Sequence, residues 1–122
     1  MKTDRLTVKA QDALKNAINE AIDRGHQEVG NGHLLYALLS DEAGTCVSVL
    51  RKIGTDPYTV RSRIDEYLST RPRVSGAASQ PYFSRELNVI FSEAEKISKR
   101  MKDSYVSVEH LLLAVLEHPG PE

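Results

Sequence analysis

The chain of 122 residues, 40% hydrophobic and 27% charged, is long enough for one globular domain whose core needs no disulfide or metal staple. Sixteen Lys and Arg against seventeen Asp and Glu leave a formal charge of −1, so no chain-wide basic field exists to hold phosphates. No run of about 18 apolar residues exists to cross a bilayer, and a single cysteine, Cys46, cannot close an internal disulfide and suits a reducing, cytoplasmic setting.

In chain order, Thr7 is the expected cap of a first helix, because Ala10, Ala13, Leu14, Ala17, Ile18, Ala21 and Ile22 recur at the spacing of one helical face. Gly25 is its expected stop. A second helix opens near Gly30 or Asn31, carries Leu34, Leu35, Leu38 and Leu39, and stops before Gly44; its leucine content marks it as the buried one. Thr45 is the expected cap of a third helix, with Val47, Leu50 and Ile53 inward and Gly54 as the stop. Asp56 and Pro57 supply the cap and first residue of a fourth, with Val60, Ile64, Tyr67 and Leu68 inward. Residues 70 to 82 hold two prolines and a glycine without periodicity and read as a connector. Ser84 then caps a fifth helix carrying Leu87, Ile90, Phe91, Ala94, Ile97 and Met101, and Ser107 caps a sixth with Glu109 in its first turn.

The chain repeats itself at an offset of 77 residues: sliding 83–117 onto 6–40 gives seven identities in 35 positions, among them Val29/Val106, His33/His110 and Leu34/Leu111. Unrelated sequences would match at about two, so a duplicated helical unit is the better explanation. The expected architecture is therefore all-α, two helical repeats related by a pseudo-twofold rotation. The first repeat spans 1–70, the connector 71–82 and the second 83–122, together one domain. By the same offset the second copy's last two helices would end near residue 147, so the second repeat reads as incomplete. Leu112, Val115 and Leu116 are then the expected uncovered face of the sixth helix.

Catalytic signals are thin. Neither a Gly-x-x-x-x-Gly-Lys-Ser/Thr loop nor a Gly-x-Gly-x-x-Gly turn between strand and helix is present, which argues against nucleotide binding by a backbone cradle. No His-Glu-x-x-His spacing points to a metal. Cys46 lacks a motif-level histidine partner, and no carboxylate pair stands out for acid–base work. His33 and His110 occupy equivalent positions and suggest one structural job done twice, a hydrogen bond near a helix start. Lys96, Lys99, Arg100 and Lys102 sit where cations offset the negative end of a helix dipole, a reading preferred over a nucleic-acid patch.

From Leu6 to Leu116 the chain resembles the amino-terminal domain of the Clp ATPases. The resemblance rests on Leu6-Thr7 with Ala10-Gln11-x-Ala13-Leu14, the Gly25-His26 turn, both His-Leu-Leu helix starts, and Tyr105-Val106-Ser107-x-Glu109-His110. Arg73-Val74-Ser75-Gly76 and Gln80-Pro81-Tyr82 are similar to the ClpB disaggregase branch in particular. Gly30 and Gly32 depart from the family's usual cap and acidic residue. The resemblance implies a non-catalytic, cytoplasmic module that engages unfolded or aggregated polypeptide, or an adaptor as in the protease-linked branches. It implies no membrane or nucleic-acid partner, a homohexameric parent, and ATP with Mg only in downstream modules. By position it implies a polar set of Thr7, Asp103 and Glu109 and an apolar floor of Phe91 and Ile97, with His110 where a greasier residue would suit. Each has an ordinary reading as well: Thr7 a cap, Asp103 a turn residue, Glu109 a first-turn acid, Phe91 and Ile97 core. Outside that family, a small hydrolase using cleft carboxylates and DNA binding through Lys96 to Lys102 are the competing classes.

Overall fold

The computed structural model describes residues 5–41, 44–73 and 81–117. Within them lie α1 (Val8–Asp23), β1 (Glu28–Val29), α2 (Asn31–Ser40), α3 (Thr45–Lys52), α4 (Pro57–Thr70), β2 (Tyr82–Phe83), α5 (Arg85–Arg100) and α6 (Val108–Glu117). The long helices start as the capping chemistry predicts. Thr7 Oγ1 accepts the Ala10 N–H at 3.1 Å, and its counterpart Ser84 Oγ accepts the Leu87 N–H at 3.0 Å. Asp56 accepts the Tyr58 N–H at 3.1 Å with Pro57 opening α4. One cap differs: Gly44 precedes α3, and Thr45 is its first helical residue.

Both long helices also end alike. The His26 N–H reaches back to the Ala21 carbonyl at 2.8 Å and the Asp103 N–H to the Ser98 carbonyl at 2.9 Å, a closure that needs a left-handed residue just before. Gly25 supplies it at φ +74°, whereas the second copy uses Lys102 at φ +60°.

The short strands were not legible as such, and they carry the symmetry. Val29 pairs in parallel with Phe83, and Leu6 with Val106. The offset of 77 turns Leu6 into Phe83 and Val29 into Val106, so each copy lends its leading residue to the other copy's strand. That exchange is what a twofold relation requires. Its hydrogen bonds match: Thr7 N–H to Val106 C=O at 3.0 Å, Ser84 N–H to Val29 C=O at 2.9 Å. Of the expected connector, 74–80 lies outside the described residues, and its last residue, Tyr82, belongs to β2.

α1 packs on α2 and α5 on α6, while α2 also meets α4 and α6 meets α3. The shared core includes Leu34, Leu68, Leu87, Ile90, Leu111 and Leu112. Burying such side chains stabilises by about 25 cal/mol per Å² of apolar area. The expected open face of α6 needs correction: Leu112 and Val115 are 1% and 6% exposed because α2 and α3 pack against α6, and the outward residues are Leu113 and Leu116. Ile22, Ile53 and Met101, expected inward, lie at helix ends and are exposed.

Candidate functional site

The twofold exchange sets the first turn of α1 beside the first turn of α6. Between them, with α2 and α3 behind, opens a groove of about 490 Å³, a size in the range of small-ligand pockets. Its floor is Ala13, Ala37, Leu38 and Cys46, all buried, with Val108 half-buried. Small side chains at 13 and 37, where two helices meet, leave the space. The rim carries Thr7, Lys9, Asp12, Asp41 and Glu109.

Thr7 therefore caps α1 and faces the groove with the same hydroxyl-bearing residue. Glu109 is oriented by its own helix start: Ser107 Oγ donates to Glu109 Oε2 at 2.9 Å. The Ser107 N–H donates to His110 Nδ1 at 2.8 Å. That assignment leaves the His110 proton on Nε2, which lies 2.9 Å from Asp103 Oδ2. Asp103 does not line the groove, yet it connects to Glu109 through His110 and Ser107. His110 is no groove edge; it is buried and clamps the α6 start.

Asp103, His110 and Ser107 follow the order of a hydrolase triad, but the chemistry fails at the base. Nδ1 already accepts the Ser107 amide, and the Ser107 hydroxyl proton is directed to Glu109. The first copy makes the same clamp without any hydroxyl: the Gly30 N–H donates to His33 Nδ1 at 2.9 Å, and His33 Nε2 faces His26 Nδ1 at 2.8 Å. The expected job done twice is thus present in both copies, with Asp103 in the place of His26.

Burial, then His26 and the guanidinium groups of Arg71 and Arg24, hold His33 down to about 4. Burial, then Arg71, Arg24 and Arg73, lower His26 as well. Cys46 is pushed up to about 12 by burial first and then by Glu109 and Asp41, so its thiol is a packing group and not a nucleophile. Among the described residues no three His, Cys, Asp or Glu side chains gather as metal ligands.

Of the five sequence candidates, Thr7 and Glu109 meet on the groove, and Asp103 reaches it only through the clamp. Phe91 and Ile97 lie in the core, each 3% exposed, and Phe91 stacks edge to face on Phe83 at 5.5 Å. Sequence reasoning did not name the residues that floor this groove or the charges at Lys9, Asp12 and Asp41. A signal was available: 9, 12 and 16 form a polar stripe on α1 running from the Thr7 cap. The twin of the groove is a smaller cleft of about 210 Å³ where Ser84, Glu86, Gly30 and Gly32 replace Thr7, Lys9, Ser107 and Glu109, closed in part by Leu68 of α4 and Arg71 at its end.

The described residues thus form a duplicated helical scaffold with an open, half-apolar groove between its copies. The sequence profile of the Clp repeat (R) N-terminal domain matches residues 5–121, and the chain belongs to that family. It is 37% identical over 123 residues to the chaperone protein ClpB of Nitratidesulfovibrio vulgaris, covering 98% of the chain and 14% of that protein. In fold it matches the Hsp104 N-terminal domain of Candida albicans with a TM-score of 0.84 at 22% identity, over 92% of this chain and 73% of that one. A ClpV N-domain in complex with a VipB peptide matches with a TM-score of 0.80 at 27% identity, over 94% of this chain and 69% of that one. No helix among the described residues is long and apolar enough to cross a membrane.

Proposed function

We propose that this chain is the polypeptide-engaging amino-terminal module of a ClpB-type, ATP-driven chaperone, and that the groove between α1 and α6 holds exposed segments of unfolded or aggregated protein. The groove carries this reading: an apolar floor that gains from burying side chains, under a rim of hydrogen-bonding groups that suits a peptide backbone. ATP and Mg belong, on this reading, to modules beyond the chain. An open groove without a deep pocket favours weak, sequence-tolerant binding, which fits a chaperone better than a single tight client.

The second reading is an adaptor dock, favoured by the neighbour solved with one defined peptide. An affinity survey separates the two. Many unfolded ligands with affinities in the micromolar range or weaker, competing for one site, are expected for the first. One folded partner and no unfolded ligand would establish the second.

A further inference from the structure

The charges on the rim narrow what the groove accepts. Among the described residues that line the groove, Asp12, Asp41 and Glu109 face a single cation, Lys9, whose Nζ stands 3.9 Å from Asp41 Oδ2. Asp12 and Glu109 make no ion pair among the described residues. Asp12 is exposed and free to meet a ligand, while Glu109 is half-buried and aimed by Ser107. Their side of the groove is therefore negative, and the field reaches the floor, where Glu109 and Asp41 add to burial in raising the Cys46 thiol.

The fold does not impose these particular acids. In the twin cleft Glu109 becomes Gly32 and Lys9 becomes Glu86, and the residue equivalent to Asp12 is Val89. The twin keeps the scaffold and its helix caps and has acids of its own, Glu86 and a Glu28 that Arg71 pairs at 3.5 Å, but at other positions. What is particular to the larger, open groove is the placement of two acids, Asp12 and Glu109, over the apolar floor of Ala13, Ala37 and Leu38.

Building on the reading of this groove as a polypeptide site, we propose that it selects segments in which Lys or Arg flanks one or two apolar side chains, the apolar groups on Ala13, Ala37 and Leu38 and the cation at Asp12 and Glu109. Apolar burial supplies the sequence-tolerant part of the affinity. The ion pairs supply the preference, and because they lie at the surface, salt weakens them.

The test uses the chain as it stands and three fluorescein-labelled peptides sharing a Leu-Phe-Ala centre, flanked by Lys, by Gln or by Glu. Fluorescence anisotropy should rank them Lys, Gln, Glu, with the Lys peptide bound about five- to tenfold tighter than the Glu peptide at low salt and less than about twofold tighter near 0.5 M salt. Asp12→Asn with Glu109→Gln should bring the Lys and Glu peptides to within about twofold of each other at low salt; the readout is the ratio of the two affinities, because both residues lie in the groove itself. Amide shifts in an NMR titration should cluster around Ala13, Ala37 and Val108. Three peptides bound equally at that cluster would overturn the charge preference and leave the groove as a polypeptide site. A ranking that survives the double substitution, or shifts confined to the Gly30–Gly32 cleft, would also overturn it. No binding of any of the three would remove the underlying reading along with it.

Discussion

His33 Nε2 meets His26 Nδ1 at 2.8 Å, two buried rings in an edge-to-face contact with centroids 5.1 Å apart, at the position where the second copy sets His110 against Asp103. Because the Gly30 N–H occupies His33 Nδ1, the proton shared with His26 must sit on His33 Nε2. Either ring can then gain a proton only by breaking a hydrogen bond. Arg24, Arg71 and Arg73 add an unfavourable field, which Glu20 only partly opposes.

Acid should therefore destabilise the fold through this pair. His33 titrates near 6.5 unfolded and at about 4 folded, and His26 is lowered in the same sense. Between those values the unfolded chain binds more protons, so stability is full above about pH 6.5 and drains as the pH falls toward 4. The loss from His33 is on the order of 3 kcal/mol. Urea melts at pH 7.5, 5.5 and 4.5 should show it. His26→Asp, which copies the second repeat, should lift the His33 titration measured by NMR and narrow the acid loss; an unmoved His33 would count against this account.

Lys102 occupies a left-handed turn that its counterpart Gly25 fills at no steric cost. Lys102→Gly is expected to stabilise the chain by about 1 kcal/mol, and Gly25→Ala to destabilise it by a similar amount. Thermal melts of the two variants, shifting in opposite directions, are the check.

Thr7 and Ser84 are twin caps, but only Thr7 faces the larger groove. Alanine at either should cost about 1 kcal/mol of stability. Peptide affinity, measured where both variants are fully folded, should fall for Thr7→Ala alone. Equal losses would mean that capping, and not contact, explains the effect.

Asp103 should act on binding only through the clamp. A double-mutant cycle of Asp103→Ala and Glu109→Gln is expected to show coupling of about 0.5–1 kcal/mol in peptide binding. Simple additivity would separate Asp103 from the groove.

Helices were legible because their information is local: the caps at Thr7, Asp56 and Ser84 and the stop at Gly25 depend on residues a few positions away. The groove was not, since its floor joins Ala13, Leu38 and Cys46 to Val108, and no local pattern relates them. Phe91 and Ile97 show the difficulty from the other side. Periodicity placed them on an inward face, correctly, but inward meant core and not groove. Leu112 and Val115 were expected bare because the repeat was read within one copy, whereas α3 of the first copy packs on α6 of the second. The two strands escaped notice because two residues make no alternation; the offset of 77, applied to pairs instead of single positions, contains the exchange.

The bridge from Leu6 to Val106 joins positions a hundred residues apart. At a synthesis rate of about 5–20 residues per second, Leu6 waits roughly 5–20 s on the ribosome before its partner exists. Throughout that interval the leading edge of α1 presents an unpaired backbone beside a leucine destined for the core. Each newly made copy is thus, for a short time, an exposed apolar segment in search of cover.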